Sequence, residues 1–284
     1  MIKMDAKKDF VVGLDVPPTA EIIWNDPDAE EEWGSIVERA KTLHYRLEYE
    51  MVKHKKRKCA TLHISPRNYD KDIERILSDG LVWLPIQRTK SYTGFSHKHF
   101  PVDELDMNSN VYGVLARNLE DAEDFRAHSM QKKVNHKGIG KLLGFPKCCS
   151  GFFVEEWSNG FYDPVYQSAL KSKNVKEIGE RHIKIRPHIA THQMMRYVGF
   201  RLTSHFPCSL DCKDSIEIGK VWYDLAKKID PQGLRALERI LTLPGRWEVL
   251  HGVAVVVTEP FTIIANSIPT KEKWVVEWDE VDTY

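Results

Sequence analysis

No run of apolar residues in this chain approaches the roughly 20 needed to cross a bilayer as a helix, so a helical membrane protein is not expected. Excess charge is missing as well. The 41 lysines and arginines balance 41 aspartates and glutamates, and no whole-chain field argues for DNA, RNA or a membrane surface. The opening Met1-Ile-Lys-Met-Asp-Ala-Lys-Lys-Asp-Phe10 lacks the apolar centre of a secretory signal. A cytoplasmic location is therefore expected, where thiols stay reduced and clustered cysteines are more often ligands or catalysts than disulfides. Repeats of solenoid length and low-complexity tracts are absent. Cysteine is scarce, at five in 284 residues, and that scarcity makes the distribution of the five informative.

The remaining composition is that of a globular chain, 42% hydrophobic and 29% charged, long enough for one large or two small domains. Residues 1–25 read as a lead-in broken by Pro17-Pro18. Asp26 and Pro27 then offer a cap and a first helical position. Trp33, Ile36, Val37, Ala40, Leu43, Leu47 and Met51 follow at helical spacing. The basic run His54-Lys55-Lys56-Arg57-Lys58 closes this helix. Its simplest role is to complement the C-terminal dipole, and no aromatics interleave to stack bases. Strands are expected over 59–64, 81–85 and 111–115, with helices over 68–78 and 119–130 between and after them. Gln87 to Asn110, with His97 and His99, reads as a long loop or lid.

Four of the five cysteines sit in two phrases that echo each other, Gly144-Phe-Pro-Lys-Cys-Cys149 and His205-Phe-Pro-Cys-Ser-Leu-Asp-Cys212. Each pair follows a Phe-Pro. Proline suits the first turn of a helix, where its missing N–H does no harm, so helices are expected over 146–157 and 207–228. First-turn N–H groups favour thiolate over thiol. Cys208 and Cys212 would then stand one turn apart on one face. Cys148 and Cys149 would point about 100° apart, so only one of them is expected to reach a shared ion. That leaves a fourth position for the other cysteine, for His205 or for an outside ligand. An open position is where substrate or water binds, whereas a closed one is structural. The gaps of zero and three residues differ from the two-residue gap of common zinc hairpins, which ranks an iron–sulfur cluster ahead of zinc. Cys59, remote from the rest, reads as core filler.

A further helix is expected over 187–202. On it His188, His192 and Arg196 would share a face, and with Arg201 and His205 they would line a wall beside the cluster. From there they could hold an anionic substrate or move protons. Plain polar helix-face residues are the simpler account. Gly138 and Gly140 have neither the preceding strand nor the Gly-Lys-Thr ending of a phosphate loop. Helices over 231–241 and strands from Trp247 onwards, through 261–265 and 274–278, complete the chain.

The stretch Ile139-Gly-Lys-Leu-Leu-Gly-Phe-Pro-Lys-Cys-Cys-Ser-Gly-Phe-Phe153, followed by Ser204-His-Phe-Pro-Cys-Ser-Leu-Asp-Cys-Lys-Asp-Ser215, resembles an uncharacterised prokaryotic group, domain-of-unknown-function family number 483. The likeness covers about the middle third of the chain. It implies a shared cysteine site and no particular reaction.

Taken together, the residues point to an α+β fold whose helical central region carries a cysteine cluster, flanked by mixed and antiparallel strands. The expected parts are an N-terminal lobe over 1–133, the cysteine region over 134–245, and C-terminal strands over 246–284 that pack on the N-terminal lobe. The first functional expectation is a cytoplasmic metalloprotein binding an iron–sulfur cluster through Cys148, Cys149, Cys208 and Cys212. It would act on an anionic or nucleotide-like substrate through His188, His192, Arg196, Arg201 and His205. The alternatives are a zinc-stapled, non-catalytic binding module that contacts nucleic acid, or a thiol redox protein. No membrane partner is expected, and the oligomeric state is open.

Overall fold

Asp26 and Pro27 open the longest helix, α1 (Pro27–Lys53), as their chemistry suggests. In the computed structural model, which describes residues 19–90, 102–103, 106–159, 163–267 and 270–284, the Asp26 carboxylate accepts the Ala29 N–H at 2.7 Å. The stripe Val37, Ala40, Leu43, Leu47 and Met51 is buried. It lies against α7 (Lys213–Ile229) and α8 (Pro231–Leu241). Asp230 caps α8 by accepting the Gly233 N–H at 2.8 Å, again with proline in the next position.

The chain is α+β, with helices packed on two separate sheets. The smaller sheet is antiparallel, in the order β2-β4-β3, built from Cys59–Ile64, Asn110–Ala116 and Val82–Thr89. On one face Ala60, Ile64 and Leu115 meet Tyr49 and Val52 of α1 and Ile76 of α2 (Tyr69–Ser78). On the other, Cys59, Val114 and Ala116 meet Ala122 and Phe125 of α3 (Leu119–Ser129) and Leu142 of α4 (His136–Leu142). Cys59 is core, as its surroundings in sequence suggested. It is fully buried, its Sγ donates to the Asp121 carbonyl at 3.4 Å, and burial pushes its thiol up to about 12. Most of the expected loop between Gln87 and Asn110 lies outside the described residues. Its start is not loop, because β3 continues to Thr89.

The larger sheet has seven strands in the order β1-β9-β8-β7-β10-β6-β5. Its C-terminal strands β7 (Gly245–Leu250), β8 (Val253–Thr258), β9 (Phe261–Asn266) and β10 (Trp274–Trp278) are antiparallel neighbours or near neighbours. Trp247, Val249, Ala254, Val256, Ile263 and Val276 alternate onto the buried face, where the main core forms. Residues 1–18 of the expected lead-in lie outside the described residues. Ala20–Trp24, also read as lead-in, is strand β1 paired with β9. The N-terminus of the described chain thus belongs to the C-terminal sheet.

The centre departs most from expectation. Two short strands, β5 (Lys176–Gly179) and β6 (His182–Lys184), extend the large sheet, with β6 parallel to β10. From Ile185 to Cys212 the only helical element is a 3-10 turn, Arg196–Val198. The helix expected over 187–202 is absent. Nearly every residue there is buried, so no polar face exists for an amphipathic helix to turn outward. The backbone is satisfied from far along the chain instead: Ile189 N–H donates to the Asp282 carbonyl at 2.7 Å and Asp282 N–H to that of Pro187 at 2.9 Å.

Candidate metal centre

Gly144 sets up the first cysteine pair. Its φ of +71° ends α4 in the left-handed region, which glycine enters without the Cβ penalty. Phe145 N–H then donates to the Gly140 carbonyl at 2.8 Å and Gly144 N–H to that of Lys141 at 3.2 Å. This is the paired bonding of a Schellman ending. Pro146 follows as the N-cap of α5 (Lys147–Phe152), so Cys148 and Cys149 occupy its first turn. A π-helical turn, Phe153–Asn159, continues it, and α6 (Pro164–Leu170) comes next in the chain.

The second pair is held differently. The expected helix from Pro207 does not form; Ser209 to Cys212 make a turn closed by Cys212 N–H donating to the Ser209 carbonyl at 3.1 Å. The turn is tied down by its neighbours, with Leu210 N–H donating to Ser172 Oγ at 2.8 Å and Lys173 N–H to Asp211 at 2.9 Å. Cys212 is the N-cap of α7, which starts only at Lys213. A proline permits a first helical turn without enforcing one, and here these long-range bonds prevail.

The two phrases bring all four sulfurs together. Cys148 and Cys149 Sγ are 3.7 Å apart, Cys148 and Cys212 3.9 Å, and Cys149 and Cys212 3.7 Å. All four, Cys208 included, lie within 4.8 Å of one another. Sulfurs sharing one tetrahedral ion at about 2.3 Å stand about 3.8 Å apart, so the spacing fits a single metal ion. A four-iron cluster places a cube of iron and sulfide between its thiolates, which sets them farther apart. The expectation that only one of Cys148 and Cys149 reaches the common point does not hold. Both residues sit in the first turn of a six-residue helix, and their side chains turn so that the sulfurs stand 3.7 Å apart.

The surroundings favour thiolate at one sulfur first. Hydrogen bonds from Cys149 and Cys208 hold Cys212 well below the usual thiol range. The Cys149 thiol, hydrogen-bonded to Cys208 and Cys212, is held far above it. Burial pushes Cys148 up to about 12. A cation is what would allow the remaining protons to leave. Cys208 N–H donates to Cys149 Sγ at 3.3 Å, an added stabilisation for charge on that sulfur.

Around the sulfurs stands a second layer. Ser215 Oγ lies 3.1 Å from Cys149 Sγ and 2.8 Å from His205 Nε2, and burial pushes His205 down to about 4, leaving it neutral. Asp214 Oδ2 accepts from Cys148 at 3.4 Å. Ser215 escaped notice in the sequence, although its place three residues after Cys212 in a helix start was a usable signal. Phe206 and Phe153 stack at 6.2 Å between centroids and Phe145 tilts against His205 at 5.3 Å, which walls off the inner side.

Residues 125–231 match the model of DUF483, a family of proteins of unknown function. The matched segment runs from Phe125 in α3 to the first residue of α8 and so contains all four clustered cysteines. No curated protein and no solved structure matches the chain.

Within the matched segment the other candidate residues scatter. His205 reaches Cys149 through Ser215. His188 Nδ1 accepts the Ala190 N–H at 3.1 Å and its ring meets Tyr284 at 4.6 Å. His192 is buried edge-on to Trp278 at 5.0 Å, and burial pushes it down to about 3. Arg196 lies 3.9 Å over the Phe206 ring. Arg201 Nε donates to His44 Nε2 at 2.9 Å, on the far side of the loop against α1. These five do not share a helix face. Gly138 and Gly140 lie inside α4, where Asn135 caps by accepting the Gly138 N–H at 3.0 Å.

Proposed function

We propose that Cys148, Cys149, Cys208 and Cys212 hold one zinc ion in a closed four-thiolate site, and that the protein is a non-catalytic binding module stapled by that ion. The observation that carries the reading is the sulfur spacing of 3.7–3.9 Å across three pairs, the edge length of a tetrahedron around one ion. Four soft thiolates suit zinc and leave no coordination position for substrate, which weighs against an open-site enzyme and against the iron–sulfur cluster that residue gaps alone favour.

The ion would join the first turn of α5 to the turn before α7, two stretches that already touch through Phe153 on Phe206 and Phe145 on His205. Zinc binding energy then becomes folding energy for this junction. Reduced thiols are a requirement, and the cytoplasm supplies that condition.

Anaerobic purification followed by metal analysis tests the reading. Colourless protein with one zinc per chain is expected. Brown protein with broad visible absorption would return the site to an iron–sulfur cluster. Metal-free protein whose thiols cycle to a disulfide would make it a redox pair.

A further inference from the structure

Although the chain as a whole is neutral, its charge is segregated around the sulfurs. Residues 130–147 carry five lysines and no carboxylate. Two of them, Lys137 and Lys141, are exposed four residues apart on α4 and so share a face. Lys147 and Lys213 each adjoin a clustered cysteine, one in the first position of α5 and the other in the first position of α7, and both are exposed.

The fold adds the turn after α1 to this surface. Gly144 lies against Arg57, so closely that a Cβ there would stand 3.4 Å from the Arg57 Cβ. The basic run read from the sequence is divided by this packing. Arg57 turns inward, buried beside Glu48 and 5.0 Å over the Trp222 ring, and Lys58 pairs with Asp121 at 2.6 Å. Lys55 and Lys56 are left exposed beside the Gly144 turn.

Among the described residues none of these six lysines has an ion-pair partner, unlike Lys58 and Lys171. Of the nearby acids, Asp211 accepts from Ser209 and Lys173 N–H and Asp214 accepts from Cys148, while Glu217 is exposed one turn after Lys213.

We infer that Lys55, Lys56, Lys137, Lys141, Lys147 and Lys213 form a contact surface for the phosphodiester backbone of a nucleic acid. Unpaired ammonium groups, spaced over a rigid junction and facing water, suit repeated phosphates, and counterion release then supplies the affinity. Among the described residues no exposed aromatic platform accompanies them, so contact is to backbone and binding is tolerant of sequence. The inference rests on reading the chain as a binding module, but not on which metal the sulfurs hold.

The test is fluorescence anisotropy of the full chain with a labelled mixed-sequence single-stranded RNA and, separately, a DNA duplex, with salt raised from about 50 to 200 mM. If four phosphates are neutralised, Kd rises about 50-fold for the single strand or about 150-fold for the duplex. Lys137→Gln with Lys141→Gln lowers the salt slope by about 1.4 or 1.8 respectively. Lys227→Gln with Lys228→Gln, which removes the same charge from the exposed end of α7, leaves it unchanged. Absence of binding, a salt-insensitive Kd, equal losses in the two double variants, or equal affinity for an acidic polypeptide would each overturn the inference. Metal content read on the same samples shows separately whether the thiolate site stands.

Discussion

Replacing Cys148 by alanine is the most discriminating perturbation of the site, because Cys148 is the exposed sulfur and the one most easily imagined as dispensable. Structural zinc in a thiolate site is worth about 10–16 kcal/mol of apparent binding free energy. Shared over four sulfurs that all lie within 4.8 Å of one another, each ligand carries about 2.5–4 kcal/mol, or a factor of about 100–1,000 in affinity. Cys148→Ala and Cys149→Ala are therefore expected to weaken metal binding by similar factors in that range, as are Cys208→Ala and Cys212→Ala. Cys59→Ala, which alters a core position remote from the ion, leaves affinity unchanged. Competition with a chromophoric chelator measures each value. Wild-type affinity in Cys148→Ala would refute the reasoning. Three thiolates would then suffice, and the fourth position would be open to water or substrate, as the enzyme reading requires.

Two further outcomes follow from the same geometry. Gly144→Ala places a Cβ at a φ of +71° and is expected to cost about 1–2 kcal/mol in urea unfolding, with metal affinity falling because the turn aims both vicinal sulfurs. His192 has a folded value depressed to about 3 by burial, so the unfolded chain takes up its proton first. Its neutral form is accommodated fully above pH 6.5. Stability is then lost by about 1.4 kcal/mol per pH unit as pH falls from there toward 3. His192→Leu is expected to flatten the dependence between pH 6 and pH 4 by that amount, and an identical slope in the variant would show that the ring is not buried neutral.

What could be read from residues alone was whatever is decided locally. Asp26-Pro27 and Asp230-Pro231 carry their own capping chemistry, and Trp247 and Val249 carry the two-residue period of a strand, whereas Val253, Val255 and Val257 turn to the less buried face and leave the core to Ala254 and Val256. The two Phe-Pro phrases announced the four cysteines. Long-range pairing was not legible. Ile22 and Trp24 form a strand only because β9 lies alongside, and residues 187–202 give up a helix because Asp282 and Leu210 satisfy their backbone. The same limit explains the vicinal pair, for helix geometry gives the angle between two side chains but not where the shared point lies.

X-ray absorption on the protein as isolated anaerobically bears most directly on the central claim. A single shell of four sulfurs at about 2.3 Å around zinc, with no metal–metal scattering, is expected. A second metal in the scattering path, or a shell in which oxygen or nitrogen replaces one sulfur, would contradict it.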